Sequence, residues 1–461
     1  MSEAVKEKTG PDLGKFKPYP AYKDSGVEWL GDVPEHWDLK RLRYTIRACQ
    51  NGVWGEEPVG GPEDVICVRV ADFDRIKNKI VLNEPTFRSV PLRQLEELTL
   101  KSGDLLLEKS GGGEQQPVGA VVLYDLGAQS VCSNFIARIK IEDDYSSVFL
   151  LYLHKHLYES GVNKRSIKQN TGIQNLDLKS YLSEYVGLPD IKEQIAIASF
   201  LDRETAKIDA LIAKQERLIE LLQEKRTALI TRAVTKGLDP DVPMKDSGVE
   251  WLGEIPAHWE VLPLKRRFEV RLGKMLQNEP KSSHDEYLPY LRAVNITWKG
   301  VDTSDINRMW FSPREKQLYD LQKYDLLVSE GGDVGRSALW QGEIENCYIQ
   351  NAVNRVRSLG NDKTVFLYYW MFMLKHIGYI DMLCSKATIG HFTAEKVEKI
   401  LVIFPPPKEQ QLIIEVLDKE ISKINKLIDR IEKAIDIIKE YRTALISAAV
   451  TGKIDVRREV P

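Results

Sequence analysis

The sequence predicts an α+β protein: two similar mixed α/β domains joined by two long helices, arranged as an internal pseudo-two-fold repeat. Three observations predict this. The stretch KEQIAIASFLDRETAKIDALIAKQERLIELLQEKRTALITRAVT, Lys192 to Thr235, is written again from Lys408 to Thr451 as KEQQLIIEVLDKEISKINKLIDRIEKAIDIIKEYRTALISAAVT. A shorter phrase, KDSGVEWLGDVPEHW from Lys23 to Trp37, returns as KDSGVEWLGEIPAHW from Lys245 to Trp259. Between each short phrase and each long one lies a strand-rich region of about 160 residues, so the chain divides into halves offset by about 220 residues.

Each long segment lacks Pro and Gly between its KEQ and its AVT, so nothing interrupts a helix of about 60 Å. In the second copy Ile424, Leu427, Ile431, Ala434, Ile438, Tyr441 and Leu445 step by three and four, the seam of a coiled coil. The first copy places Ile208, Leu211, Gln215, Leu218, Leu222, Lys225 and Leu229 at matching positions, with Gln215 and Lys225 interrupting the seam. Such a helix cannot hide its apolar stripe alone, and the other copy is the natural partner; the alternative is two docking helices, each on its own domain.

In chain order, residues 1–22 read as a flexible tail, 23–190 as the first domain, 191–235 as its helix and 236–245 as a linker. Residues 246–405 form the second domain, 406–452 its helix and 453–461 a charged tail. The paired tryptophans Trp29 and Trp37, and Trp251 and Trp259, suit a short turn anchored by buried indoles. ICVRVADF (66–73) answers PYLRAVNI (289–296), aligning Arg69 with Arg292 and Asp72 with Asn295. GDLLLEKSGGGEQQPVG (103–119) answers YDLLVSEGGDVGRS (324–337), an apolar strand running into a glycine-rich loop. CSNFIARIK (132–140) answers YIQNAVNRVR (348–357), aligning Asn134 with Asn351 and Arg138 with Arg355. An apolar helix follows in each half, then a polar stretch, 162–176 or 379–392, then a strand leading through Pro189, or Pro405 to Pro407, into the long helix.

Composition is that of an ordinary soluble protein, and 65 basic against 68 acidic residues leave a net charge of −3, so any basic surface is local. Five scattered cysteines with no CxxC pattern suit a reducing cytoplasm and argue against structural zinc. No signal peptide and no membrane-spanning run is evident.

The chain has no GxxxxGK[ST], HExxH, GxSxG or strand-to-helix GxGxxG, and no Asn/Asp-Pro-Pro-aromatic motif of methyl transfer. His154 and His156, two apart on a helix, point to different faces and do not form a metal pair. Pro189-Asp190 with Glu193 faintly resembles a nuclease motif, but the second copy holds Pro406 at the Asp position. Recognition of DNA is the more economical reading, because two diverged domains on a stiff spine can read two short patterns separated by a set gap. The candidate readers are Arg69 and Arg292 near strand ends; Lys109, Gln115, Gln116, Arg336 and Ser337 in the glycine loops; and Lys164, Arg165, Lys168, Gln169, Asn170, Lys386 and Thr388 in the polar stretches. Such side chains read purine edges and neutralise phosphates, although a charge cluster by itself is commonly only a solvated face.

The ordered motifs, WLG-x-[IV]-P-x-HW opening each half, DLL before a glycine loop, a proline-led KEQ and RTALI near each helix end, resemble the specificity subunit of type I restriction-modification enzymes over the chain from about Lys23 onward. The resemblance implies two target-recognition domains, each reading half of a bipartite asymmetric site on double-stranded DNA, with the two helices packed as an antiparallel coiled coil that sets the gap. It implies two methylation subunits as partners, which use S-adenosylmethionine, and restriction subunits that use ATP and Mg. It implies no cofactor in this chain itself. It does not carry over base-contacting residues. Competing with it are a coiled-coil scaffold that binds proteins, and a self-sufficient enzyme, for which no nucleotide or S-adenosylmethionine site is visible.

Overall fold

The structure, a computed structural model, describes residues 13–170, 172–384 and 390–459. They fall into two compact units, one formed by residues 1–215 with 432–461 and the other by 216–431. Unit 1 is thus assembled from both ends of the chain.

Unit 1 is built on a six-stranded sheet in the order Ile46–Asn51, Ile136–Ile141, Leu105–Glu108, Val121–Leu123, Lys79–Ile80, Phe73–Asp74. A three-stranded sheet, Ser130–Cys132, Asp64–Val68 and Phe87–Ser89, closes beside it. Unit 2 repeats the plan. Its strands Phe268–Leu272, Val353–Ser358, Leu326–Ser329 and Ser337–Leu339 form one sheet, and Asn307–Phe311, Glu286–Leu291 and Tyr348–Ile349 another. Leu105–Glu108 and Leu326–Ser329 are buried along their whole length, which is why these strands read as unbroken apolar runs. Gly52 and Gly273 hold matching places: a Cβ on either would come within 2.0 Å of the Cys132 carbonyl or 2.3 Å of the Gln350 carbonyl, so only glycine lets the chain pass.

The aligned arginines are structural. Arg138 and Arg355 are both buried; Arg138 Nε donates to Asp104 Oδ2 at 2.7 Å, and Arg355 pairs with Asp320 at 3.0 Å and Glu269 at 2.8 Å. Buried guanidinium groups of this kind persist only where carboxylates and carbonyls satisfy them.

The two long helices run Ile191–Lys236 and Pro407–Val450. The repeated words at their starts prove to be fasteners. Gln194 is buried; its Oε1 accepts from the Ser146 N–H at 2.9 Å and its Nε2 donates to the Pro189 carbonyl at 2.9 Å. Gln410 repeats this with the Lys363 N–H at 2.8 Å and the Pro405 carbonyl at 2.8 Å. The Asp of the shared Leu-Asp then takes a tyrosine hydroxyl, Tyr152 on Asp202 at 2.8 Å and Tyr369 on Asp418. Trp37 and Trp259 are fully buried, but the other member of each pair is not: Trp29 is half-buried and Trp251 is 36 % exposed, so one indole of each pair is the buried anchor.

The seam differs from the one expected. Ile424, Ile431, Ile438 and Leu445 are at least partly buried, as are Ala434 and Tyr441, but Leu427 is exposed and the more buried intervening positions are Ile428, Ile435 and Arg442. The first long helix shifts in the same sense: Ile208, Leu222 and Leu229 stay, while Ile212, Ile219 and Arg226 replace Leu211, Leu218 and Lys225. Leu211, Leu218 and Leu427 are 43, 40 and 42 % exposed. The cause is visible in the sequence: Leu211-Ile212, Leu218-Ile219 and Leu427-Ile428 each set two apolar residues side by side, and spacing alone does not choose between them. Within unit 1 the Arg442 guanidinium reaches Asp209 at 2.9 Å, and within unit 2 Arg226 donates to Asn425 Oδ1 at 3.1 Å.

Replacing Gln194 with Leu would leave a buried amide N–H and a carbonyl without partners, a loss of about 1–3 kcal/mol. Urea unfolding should show that loss, and a variant as stable as the parent would contradict the fastening role.

Candidate nucleic-acid interface

The two polar segments singled out separately in the first domain lie on one small sheet. After the buried strand ending at Glu108, Ser110–Gly111 pairs with Ile173–Leu176, which pairs in turn with Ile167–Asn170. Ser110 Oγ donates to Asn175 Oδ1 at 2.6 Å, and the Leu176 N–H to the Lys109 carbonyl at 2.8 Å. The glycine loop is pinned to the turn Val162–Ser166 by buried Asn163, whose Nδ2 donates to the Val118 carbonyl at 2.7 Å. Gly112 sits at φ +57°, and a Cβ there would come within 2.9 Å of the Val118 nitrogen. The loop is therefore built, with its backbone fixed at both ends.

This arrangement leaves Gln115, Gln116, Lys164, Arg165, Lys168 and Gln169 exposed, with Lys109 partly so. Lys168 forms an ion pair with Asp177 at 2.6 Å, largely in solvent, where such pairs are weak and exchange readily for a phosphate. Asn170 ends the outer strand. The loop Gly112–Gln116 and residues Val70–Ile76 line an open cleft of about 1020 Å³. Arg69 stands at the start of that rim, its backbone N–H and guanidinium both held by Asp72, at 2.7 and 3.0 Å.

The cleft contains groups that the sequence did not announce. Arg75 reaches Glu108 at 2.9 Å and the Tyr158 hydroxyl at 3.1 Å. Beneath the rim, buried Lys155 donates to the carbonyls of Arg75 (3.1 Å) and Ile76 (2.9 Å) and to Asn78 Oδ1 (2.9 Å). Burial brings the Lys155 ammonium down to about 8, opposed by Glu159, and raises the Glu108 carboxyl against the pull of Arg75. A lone lysine inside the apolar run FLLYLHKHLYE was the available signal for Lys155; nothing local marked Arg75.

Unit 2 uses the matching positions differently. The Arg292 N–H donates to Asn295 Oδ1 at 2.9 Å, as Arg69 does to Asp72, and its guanidinium pairs with Asp305 at 2.6 Å. Arg336 donates to the Ala293 carbonyl at 2.9 Å, so both arginines brace the same turn. Ser337 is a correction: it is fully buried and its hydroxyl donates to the Gly335 carbonyl at 2.9 Å, which removes it from any surface role. Lys386 and Thr388 lie outside the described residues. Among the described residues no group of three or more His, Cys, Asp and Glu side chains could hold a metal ion, and no helix is long and apolar enough to cross a membrane.

The described residues thus form two repeated domains, the first of which carries an exposed basic and amide-bearing sheet. Residues 256–436 match the family described as the type I restriction modification DNA specificity domain. The chain is 22 % identical over 440 residues, 93 % of this chain and 96 % of the other, to a Methanocaldococcus jannaschii protein provisionally named as the MjaX type I restriction enzyme specificity subunit. It is 24 % identical to the MjaVIII specificity subunit of the same organism, over 86 % of this chain and 94 % of that one. A chain solved in work on complex assembly and conformational transition of the type I restriction-modification system has the same fold, with a TM-score of 0.63 at 18 % identity, covering 91 % of this chain and 98 % of that one. The family match and the two relatives are thus likenesses to type I restriction specificity proteins, and the solved chain is a likeness of fold.

Replacing Lys164, Arg165 and Lys168 together with Ala is expected to weaken DNA binding by the assembled complex. It should also flatten the salt dependence by about 0.9 in log–log slope for each phosphate that is no longer neutralised. Binding titrations at several salt concentrations would check this, and an unchanged slope would remove the cluster from the interface.

Proposed function

We propose that this chain is the DNA-sequence-specificity subunit of a type I restriction-modification enzyme, each unit reading one half of a bipartite, asymmetric site on double-stranded DNA. The observation that carries this reading is the division of labour within the repeat. Positions that echo between the halves, such as Arg138 and Arg355, serve the fold, whereas the stretch that carries the exposed Lys164, Arg165, Lys168 and Gln169 reads VNKRSIKQNTGIQNL (162–176) in the first half and YIDMLCSKATIGHF (379–392) in the second. One scaffold with two different surfaces is what reading two different half-sites requires.

The long helices serve in this reading as an antiparallel coiled coil that sets the gap between half-sites. The two helix contacts support it: a step forward from Asp209 to Arg226 on one helix is matched by the same step back from Arg442 to Asn425 on the other. Apolar side chains left outside the seam, Leu211 and Ile437 in unit 1 and Leu218, Leu221 and Leu427 in unit 2, suit docking of partner subunits. Those partners are two methylation subunits, which modify adenine with S-adenosylmethionine, and restriction subunits that use ATP and Mg. The chemistry resides in them and recognition in this chain, which works in the cytoplasm.

Adenine-methylation mapping of cells carrying this chain with its methylation subunit tests the proposal. A bipartite methylated motif that disappears when this chain is deleted is the expected result; an unchanged methylome, with the complex shown to assemble, leaves a protein-binding scaffold. Lengthening both long helices by whole turns should widen the gap in that motif while both half-sites stay the same, and a constant gap would refute the spacing role.

A further inference from the structure

One place in the repeat is filled by ions in unit 1 and by rings in unit 2. Arg75 follows the strand Phe73–Asp74, and Trp298 follows the matching strand Ile296–Thr297. The apolar helices Ser147–Glu159 and Thr364–His376 align through Tyr152 and Tyr369, which bind the aspartates of the two long helices. That alignment sets Phe372 where Lys155 stands and Lys375 where Tyr158 stands. Glu108 ends its buried strand as Ser329 ends the copy. In unit 1 Arg75 binds Glu108 and Tyr158, with Lys155 donating to the Arg75 carbonyl from beneath. In unit 2 Trp298 packs edge-on against Phe372 at 5.3 Å and lies 5.9 Å from the His376 ring.

The difference isolates what the fold needs. Unit 2 closes this place with aromatic packing, and apolar packing is commonly as stabilising as a buried ion pair, or more so. The fold alone therefore does not call for Arg75. What unit 1 has instead is a fixed cation at the cleft: the Glu108 side chain is 1 % exposed and that of Arg75 19 %, so the guanidinium is the member of the pair that faces outward. Exposed Gln115 and Gln116 stand on the rim. Among the described residues Tyr158 takes one N–H of Nη1 and Glu108 one of Nη2, which leaves Nε–H and a further N–H on each terminal nitrogen. A guanidinium fork held from behind in this way matches two acceptors on one planar edge.

We propose that Arg75 is a specificity-determining residue of unit 1 and reads a guanine, its guanidinium donating to N7 and O6 of that base in the major groove of one half-site. The assignment rests on the reading of this chain as a DNA-specificity subunit. It gives sequence discrimination to a cation locked inside the cleft and leaves the exposed lysines to meet phosphate. Trp298 offers no such fork, so a guanine read in this manner belongs to one half-site only.

The test uses the methylation complex assembled on the full chain, with duplexes that carry its own methylated motif and single base-pair changes to that motif. The parent complex should lose affinity roughly ten- to a hundredfold when one particular G·C pair of one half-site is replaced. Arg75→Ala should bind the unaltered duplex about as weakly as the parent binds the changed one, and should no longer distinguish the two. Discrimination at every other pair of both half-sites should persist, and the salt dependence of binding should keep its slope. Arg75→Lys, which retains the charge but not the fork, should recover little of the lost discrimination. Affinity restored by Arg75→Lys on all duplexes alike, or a log–log salt slope lower by about 0.9 in Arg75→Ala, would reveal a phosphate contact and overturn the assignment. Unchanged discrimination would overturn it too, as would loss of the whole half-site, the mark of a residue that only supports the fold. A parent complex without any bipartite motif would overturn the specificity reading itself, and this assignment with it.

Discussion

A buried side-chain amide stands at the start of each long helix, and the attachment of helix to domain depends on it. Gln194 and Gln410 each accept a backbone N–H from the segment leading into the apolar helix and donate to the carbonyl of a proline just ahead of their own helix. Removed from water, such an amide must keep both bonds, so it fixes the angle and the register at which the long helix leaves the sheet. The tyrosine–aspartate contacts two turns further on hold the helix down.

This constraint explains what the repeat preserves. KEQ and Leu-Asp are shared because they fasten helix to domain, and Arg138 and Arg355 because each neutralises carboxylates inside its sheet. Arg69 with Asp72 and Arg292 with Asn295 form the same turn, closed by a carboxylate in one unit and an amide in the other. Where the halves part company, at the exposed side chains of the glycine loops and the polar stretches, the surface is free to vary, while bonds such as that of buried Asn163 to the Val118 carbonyl hold the loop in place.

Repetition made the architecture legible: period, motif order and the long uninterrupted helices all pointed to paired domains. The seam was legible only in part, because Leu211-Ile212, Leu218-Ile219 and Leu427-Ile428 each offer two adjacent apolar residues and the choice between them lies in packing, not in spacing. The candidate interface was legible in unit 1 as residue types, but not as one surface, since the pairing of Ser110–Gly111 with Ile173–Leu176 joins segments more than sixty positions apart. In unit 2 the aligned arginines proved to be braces, and Ser337 proved to be interior. Sequence alignment within the chain is biased toward such residues, because a position that repeats is one that the fold needs.

The composition of unit 1 from residues 1–215 and 432–461 has a temporal consequence. A ribosome delivers all of unit 2 before it delivers the last part of unit 1, whose core includes Leu445, Ile446, Ala449, Ile454 and Val456. During synthesis the domain begun first is the domain finished last, waiting with its apolar surface open while the inserted one can already close.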